Sequence, residues 1–252
     1  MLGEDRADPL LVAVERADVK ETLKALVPVL KKLGGSALAD KAKASVAKLA
    51  EKNWSAQRTQ RLKALQAPKA GEPLPPDWVM SRIAAAIPSD GILVEEGLTS
   101  TPTLFSFYPY RDRKSFFGNV SGGIGWGIAA AVGVQIAESR RRVFAVFGDG
   151  SAMYSITALW SAANQKLPVI FLIMNNAGYQ ILKNRLKLFH GNNAPIGMDF
   201  QDPPMDITKI AEGFGVAAER VDTAAGFDAA MKRALARTDG PSLLEVMVKK
   251  VG

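Results

Sequence analysis

Asp149 and Asn176 are the residues of this sequence best placed for chemistry, because each stands where an apolar run stops. Val143 to Phe147 gives way to Gly148-Asp149-Gly150, and Val169 to Met174 gives way to Asn175-Asn176. One carboxylate and one amide oxygen make a hard, singly charged donor pair. Such a pair suits Mg²⁺ and leaves most of the metal charge for phosphate oxygens. Gly148 and Gly150 let the backbone turn sharply and approach a ligand closely. Ser151 is expected to start a helix whose amino end favours a phosphate.

The segment Val143 to Tyr179 reads as strand, helix and strand. Such units are joined right-handedly almost without exception, so the strands run parallel and their carboxyl ends share one edge of the sheet. Asp149 and Asn176 should therefore meet in space, at the edge where open parallel sheets bind their ligands. A Gly-Asp-Gly tripeptide alone is a common turn. Here 24 residues separate Gly150 from Asn175, and GDG, that spacer and NN together resemble the thiamine diphosphate signature. The fuller string, GDGSAMYSITALWSAA followed by LPVIFLIMNN, is most similar to benzoylformate decarboxylases.

The resemblance implies thiamine diphosphate and Mg²⁺ as cofactors. It assigns the metal to Asp149, Asn176 and the backbone carbonyl of Gly178, with phosphate oxygens and water completing an octahedron. Gly148, Gly150, Ser151 and Tyr179 would approach the diphosphate, and Thr99 and Ser100, in the loop after the first strand, would supply hydroxyls. Thr101 fits that part less well. In FFGNVSGGIGWGIAAAVGVQIAE, Gly123, Gly127, Ala131 and Val134 fall on one side and allow close backbone approach to a helix or a cofactor. By resemblance, Ile124 props the cofactor in its bent form and its amide touches the pyrimidine ring. The Gly122 carbonyl accepts from the exocyclic amine, and Gly123 adjoins both. Ile181 and Leu182 would face the substrate.

Around these motifs the periodicity alternates helix with strand. It predicts a doubly wound, mostly parallel α/β sheet with helices on both faces, preceded by a short α-rich segment. Expected elements are a helix from Asp77 to about Ile87, a strand Ile92 to Glu95 and a long helix in the glycine-rich stretch. Further along come helix 207–213 capped by Asp206, strand 216–221, helix 224–236 and strand 242–248. Residues 1–35, with a strand at Leu10 to Val14 and a helix ending at Gly34-Gly35, resemble the tail of a preceding central domain. Residues 36–66 read as a basic amphipathic helical segment, 67–76 as a proline-rich extended linker and 77–252 as the cofactor domain. His190, the only histidine, falls in a polar loop and is read as solvated.

The net charge of +7 is localised. Residues 15–69 hold thirteen Lys or Arg against five Asp or Glu, a surplus of eight, so the remainder sums to about −1. With Trp54 alone interleaved and no recognised motif, that segment reads as a solvated face or an interface with an acidic partner rather than a nucleic-acid site. The absence of cysteine excludes disulfides and thiolate catalysis. No apolar run reaches membrane-spanning length and the amino terminus lacks a signal-peptide core, so a cytoplasmic protein is expected.

The implied reaction is decarboxylation of a 2-oxo acid to an aldehyde and CO₂. The family's activating glutamate and catalytic histidines belong to a pyrimidine-binding domain for which this sequence has no room. The chain is thus expected to need that domain or subunit from elsewhere, in a homo- or hetero-oligomer, and to be inactive alone. An acetolactate synthase-like carboligase and a non-catalytic cofactor-binding or assembly module are the alternatives. A nucleotide-binding protein is a further one, disfavoured because neither a GxxxxGK[ST] nor a GxGxxG loop is present at a strand end.

Overall fold

Apolar runs without alternation are suited to strands covered on both faces, and such runs form the centre of an all-parallel sheet of six strands, whose spatial order in chain numbering is second, first, third, fourth, sixth, fifth. A computed structural model describes residues 18–191 and 194–251. The strands are β1 (Ile92–Glu96), β2 (Phe116–Gly118), β3 (Val143–Gly148), β4 (Ile170–Asn175), β5 (Ala217–Val221) and β6 (Ser242–Met247). Every residue of β4 is buried, as is β3 up to Phe147.

Successive side chains of a strand point to opposite faces, and two cores result. Phe144, Val146, Ile170, Leu172 and Met174 pack with Val79, Met80 and Ile83 of a helix over Pro76–Ala86, and with Phe227 and Met231 of another over Ala224–Ala236. On the other face Val143, Ala145, Phe147, Phe171 and Ile173 meet Ile128 and Ala131 of helix Gly127–Ala137, Leu159 of helix Ala158–Asn164, and Ile207 of helix Ile207–Gly213. Each fully buried Leu, Ile or Phe contributes about 1.5–3 kcal/mol. The doubly wound expectation is met, with the sheet wholly rather than mostly parallel.

In chain order the helices are α1 (Val19–Ala50), α2 (Trp54–Ala64), α3 (Pro76–Ala86), α4 (Leu104–Phe107), α5 (Gly127–Ala137), α6 (Asp149–Ser155), α7 (Ala158–Asn164), α8 (Gln180–His190), α9 (Ile207–Gly213) and α10 (Ala224–Ala236). Asp18 caps α1 through the Glu21 amide, and Asp206 caps α9 through the Lys209 amide. The chain divides into two compact units, Met1–Thr59 and Gln60–Gly252. In the first, α1 has no buried residue and leaves helical geometry at Gly35, whose φ is 56°. The expected strand at Leu10 to Val14 lies outside the described residues.

Several local expectations need correction. The glycine-rich stretch does not open directly into helix: Phe116–Gly118 forms the edge strand β2, and α5 begins only at Gly127. The helix after β3 begins at Asp149 rather than Ser151 and breaks into α6 and α7 around Ile156 and Thr157. His190 is the last residue of α8, followed by Gly191 in the left-handed conformation, rather than a loop residue. Within the proline-rich stretch Leu74 is fully buried and pairs with Val248 as a parallel bridge, so the extended chain there is anchored to the sheet.

Candidate functional site

The strand order reverses direction between β1 and β3, since the chain leaves β1 for β2 on one side and returns to β3 on the other. Crevices outside the carboxyl ends of strands at such a switch point bind ligands. A narrow cleft lies there, lined by Leu98 and Thr99 after β1, Gly148 to Ser151 after β3, Asn176 and Gly178 to Ile181 after β4, and Ile124 from the glycine-rich loop. Ten of the sequence-derived candidates therefore come together: Thr99, Ile124, Gly148, Asp149, Gly150, Ser151, Asn176, Gly178, Tyr179 and Ile181.

Asp149 is 2% exposed and organises the cleft floor. Its Oδ1 accepts from the Gly150 amide at 2.8 Å, and its Oδ2 accepts from the amides of Asn176 and Gly178, each at 3.2 Å. Burial pushes its carboxyl above the ordinary value, and these amides only partly offset that. Beside it, the Asn176 side-chain Oδ1 is buried with no hydrogen-bond partner among the described residues, while Nδ2 reaches Thr99 Oγ1 at 3.5 Å. A buried acceptor left without a partner costs free energy of about 1–3 kcal/mol unless a ligand relieves it. A desolvated carboxylate next to such an orphaned oxygen fits a hard cation, which would favour the charged form of Asp149. Among the described residues no group of three or more His, Cys, Asp or Glu could hold a metal. A cation at Asp149 would thus have one charged protein ligand and keep charge for an anion.

Close packing explains two glycines. A Cβ on Gly150 would lie 2.6 Å from the Tyr179 ring, which stacks edge-on against Phe200 with centroids 4.6 Å apart. A Cβ on Gly127 would lie 2.5 Å from the Phe147 ring and 2.6 Å from Glu96 Oε2.

Four candidates stand apart from this lining. The Ser100 hydroxyl is buried, also without a hydrogen-bond partner among the described residues. Gly122 lines a second cleft of about 650 Å³, which shares Leu98 with the first and is walled by Phe105, Phe116, Phe117 and Trp126. The Gly123 carbonyl accepts from Asn119 Nδ2 at 2.6 Å. Leu182 is 48% exposed and is not among the residues lining the cleft with Ile181. Thr101 donates to Glu95 Oε1, so its hydroxyl is not presented to a ligand.

Glu95 and Glu96, at the end of β1, had not stood out in the sequence as anything beyond a strand end. Both are buried. Glu96 accepts from the amides of Gly125 and Gly127, tying the loop that carries Ile124 to β1. Glu95 accepts from the Gly97 amide at 2.7 Å as well as from Thr101. Burial raises the Glu95 carboxyl above its ordinary 4.5, against the opposing effect of those two donors. The sign of the linkage follows: stability from this group is complete below pH 4.5 and is lost as pH rises through the raised folded value. Glu95→Gln, which keeps a neutral acceptor, should flatten the fall in unfolding free energy between pH 4.5 and neutrality. Urea unfolding across that range measures the slope, and an unchanged slope would refute the assignment.

Comparison with known proteins agrees with this geometry. Residues 99–246 match the family described as thiamine pyrophosphate enzyme, C-terminal TPP binding domain. The chain is 39% identical over 181 residues to benzoylformate decarboxylase of Pseudomonas aeruginosa, covering 72% of this chain and 34% of that protein. The structure of the thiamine diphosphate-dependent 4-hydroxybenzoylformate decarboxylase of Rhodococcus jostii superposes with a TM-score of 0.69 and 38% identity, over 74% of this chain and 35% of the other. Acetolactate synthase isozyme 1 large subunit of Escherichia coli is 26% identical over 182 residues, 72% of this chain and 32% of that protein. The chain thus spans about a third of the length of the relatives it matches. With the fold, the switch-point cleft and a family match over residues 99–246 in agreement, the chain belongs to the thiamine pyrophosphate enzymes and carries their C-terminal cofactor-binding domain.

Proposed function

We propose that this chain is the thiamine diphosphate- and Mg²⁺-binding part of a 2-oxo acid decarboxylase of the benzoylformate decarboxylase type. The observation that carries this reading is the orphaned, buried Asn176 Oδ1 beside the Asp149 carboxylate in the switch-point cleft. Asp149, Asn176 and the Gly178 carbonyl would hold the metal. The Gly178 carbonyl already accepts from the Gln180 amide at 2.9 Å and keeps a second lone pair for a cation. Thr99, Ser100, Gly148, Gly150, Ser151 and Tyr179 would hold the diphosphate. Gly122, Gly123 and Ile124 would position the aminopyrimidine, with Ile181 toward the substrate. Bound thiamine diphosphate supplies the electron sink for loss of CO₂ from a 2-oxo acid and release of an aldehyde. The chain's own residues contribute position, charge balance and exclusion of water at the metal end of the cleft. The similarity to benzoylformate and 4-hydroxybenzoylformate decarboxylases supports an aromatic 2-oxo acid.

On this reading a pyrimidine-binding domain or subunit supplies the activating glutamate and the catalytic histidine, in a cytoplasmic homo- or hetero-oligomer. Among the described residues no helix is long and apolar enough to cross a membrane. Calorimetric titration of the chain with thiamine diphosphate in Mg²⁺ tests the reading, with ATP and NAD as competitors; tight binding of either nucleotide in place of thiamine diphosphate refutes it. Activity is tested by adding benzoylformate with and without a pyrimidine-binding partner, and turnover by the unaccompanied chain at the partnered rate refutes the need for one. The match to acetolactate synthase supports a second reading as a carboligase subunit. Formation of acetolactate from pyruvate rather than an aldehyde from benzoylformate would decide for it. Cofactor binding without turnover in any complemented mixture would mark a non-catalytic binding or assembly module.

A further inference from the structure

The carboxyl end of β4 is held by a polar chain that leads away from the cleft into the sheet. Glu245, within β6, is 0% exposed. Its Oε1 accepts from Asn175 Nδ2 at 2.6 Å and its Oε2 from Arg220 Nε at 3.0 Å, Arg220 lying on β5. Both Glu245 oxygens accept, so the contact admits one orientation of the Asn175 amide: nitrogen toward Glu245, oxygen away. That oxygen then accepts from the Ala177 amide at 2.8 Å. Ala177 has φ of 57°, the left-handed region, which costs an L-residue roughly 1–2 kcal/mol and needs outside support. The turn made there sends the amides of Asn176 and Gly178 to the same Asp149 oxygen, each at 3.2 Å.

We propose that Glu245 and Arg220 are positioning residues of the cofactor site, acting through Asn175 to set the Ala177 turn that brings Asn176 and Gly178 onto Asp149. The inference rests on the reading of this cleft as the Mg²⁺-diphosphate site. It assigns a task to a buried charge that takes no part in the cleft lining. It also explains why two successive asparagines end β4: Asn176 faces the cleft, and Asn175 faces the sheet and fixes its neighbour. Arg220 is further anchored by Asp206 at 3.5 Å, so the chain of contacts continues to the cap of α9.

The donor and acceptor pattern gives a sharp test. In Glu245→Gln the amide has one acceptor oxygen for two donors, so either Asn175 or Arg220 meets an NH₂ group. In Asn175→Asp two carboxylates face each other. Combining the two substitutions restores both contacts, because the introduced glutamine donates to the introduced aspartate and accepts from Arg220, while the second oxygen of that aspartate still receives the Ala177 amide. The full chain is titrated with thiamine diphosphate in Mg²⁺ by calorimetry, its Asn176, Ala177 and Gly178 amides are followed by NMR hydrogen exchange, and its stability is measured in urea. Each single substitution should weaken cofactor binding about 10- to 100-fold and deprotect the Ala177 amide, while the double substitution recovers to within about threefold.

A purely structural ion pair would lower stability in the singles and regain it in the double while leaving cofactor affinity and Ala177 exchange unchanged. Single variants that bind like the wild type, or a double variant as weak as either single, would overturn the proposal. Should the wild-type chain bind no thiamine diphosphate, the functional reading fails by itself. Amide exchange then decides: protection lost in the singles and regained in the double supports the positioning role, and unchanged protection overturns it. If Glu245→Gln does not fold, Arg220→Met serves instead, since the Arg220 side chain is 45% exposed. Weaker binding with faster Ala177 exchange supports the proposal, and wild-type values in both refute it.

Discussion

Asp149→Asn is expected to weaken binding of thiamine diphosphate in Mg²⁺ by about two to three orders of magnitude. Stripping one partner from a buried charge pair costs about 3–5 kcal/mol, and each 1.4 kcal/mol is tenfold in affinity. The substitution keeps the side-chain volume but removes the one negative protein charge among the cleft-lining residues. It also places an NH₂ group where the carboxylate accepts from Gly150, Asn176 or Gly178. Charge and geometry can be separated. Without Mg²⁺ both should bind the diphosphate weakly, the variant at least as well as the wild type, because the carboxylate then only repels the anion. Calorimetry at saturating Mg²⁺ and again with a chelator gives both numbers. Equal affinities at saturating Mg²⁺ would show that Asp149 does not hold the metal.

Glu96→Ala should lower the unfolding free energy of the second unit by about 2–6 kcal/mol, since it leaves the amides of Gly125 and Gly127 without an acceptor at about 1–3 kcal/mol each. One effect opposes this loss. Burial raises the Glu96 carboxyl, so the wild type already bears a desolvation cost at neutral pH. The two amide bonds should still prevail, because each is charge-assisted and alanine offers neither amide an acceptor. Glu96→Gln keeps one acceptor and should lose less than Ala. Urea unfolding at neutral pH measures both variants, and a Glu96→Ala protein as stable as the wild type would contradict the pinning role. The same variant should loosen the loop carrying Ile124, which lies between Gly122 and Gly125, both at positive φ.

Much of the sheet was readable because burial on both faces leaves a plain trace: β3 and β4 are unbroken apolar runs bounded by Gly, Asp and Asn. The meeting of Asp149 with Asn176 followed from the handedness of a strand-helix-strand unit alone. What escaped notice depends on contacts distant in sequence. Strand β2 is three half-buried residues, the last of them glycine, too short to show a period. Glu96 resembles any polar strand end until Gly125 and Gly127 fold over it. Glu245 sits in SLLEVM as an unwelcome charge whose partner, Asn175, lies 70 residues away. Of the neighbours Ile181 and Leu182 only the first lines the cleft, since adjacent helical residues are turned about 100° apart.

The bridge between Leu74 and Val248 binds the proline-rich stretch to the last strand. Leu74 accepts from the Lys249 amide and donates to the Met247 carbonyl, each at 3.0 Å, and Glu72 pairs with Lys249. Residues 72–74 and 247–249 therefore lie side by side. Without residues 72–74 the Lys249 amide and the Met247 carbonyl would lose their backbone partner, so the proline-rich stretch is part of the fold rather than a tether to it.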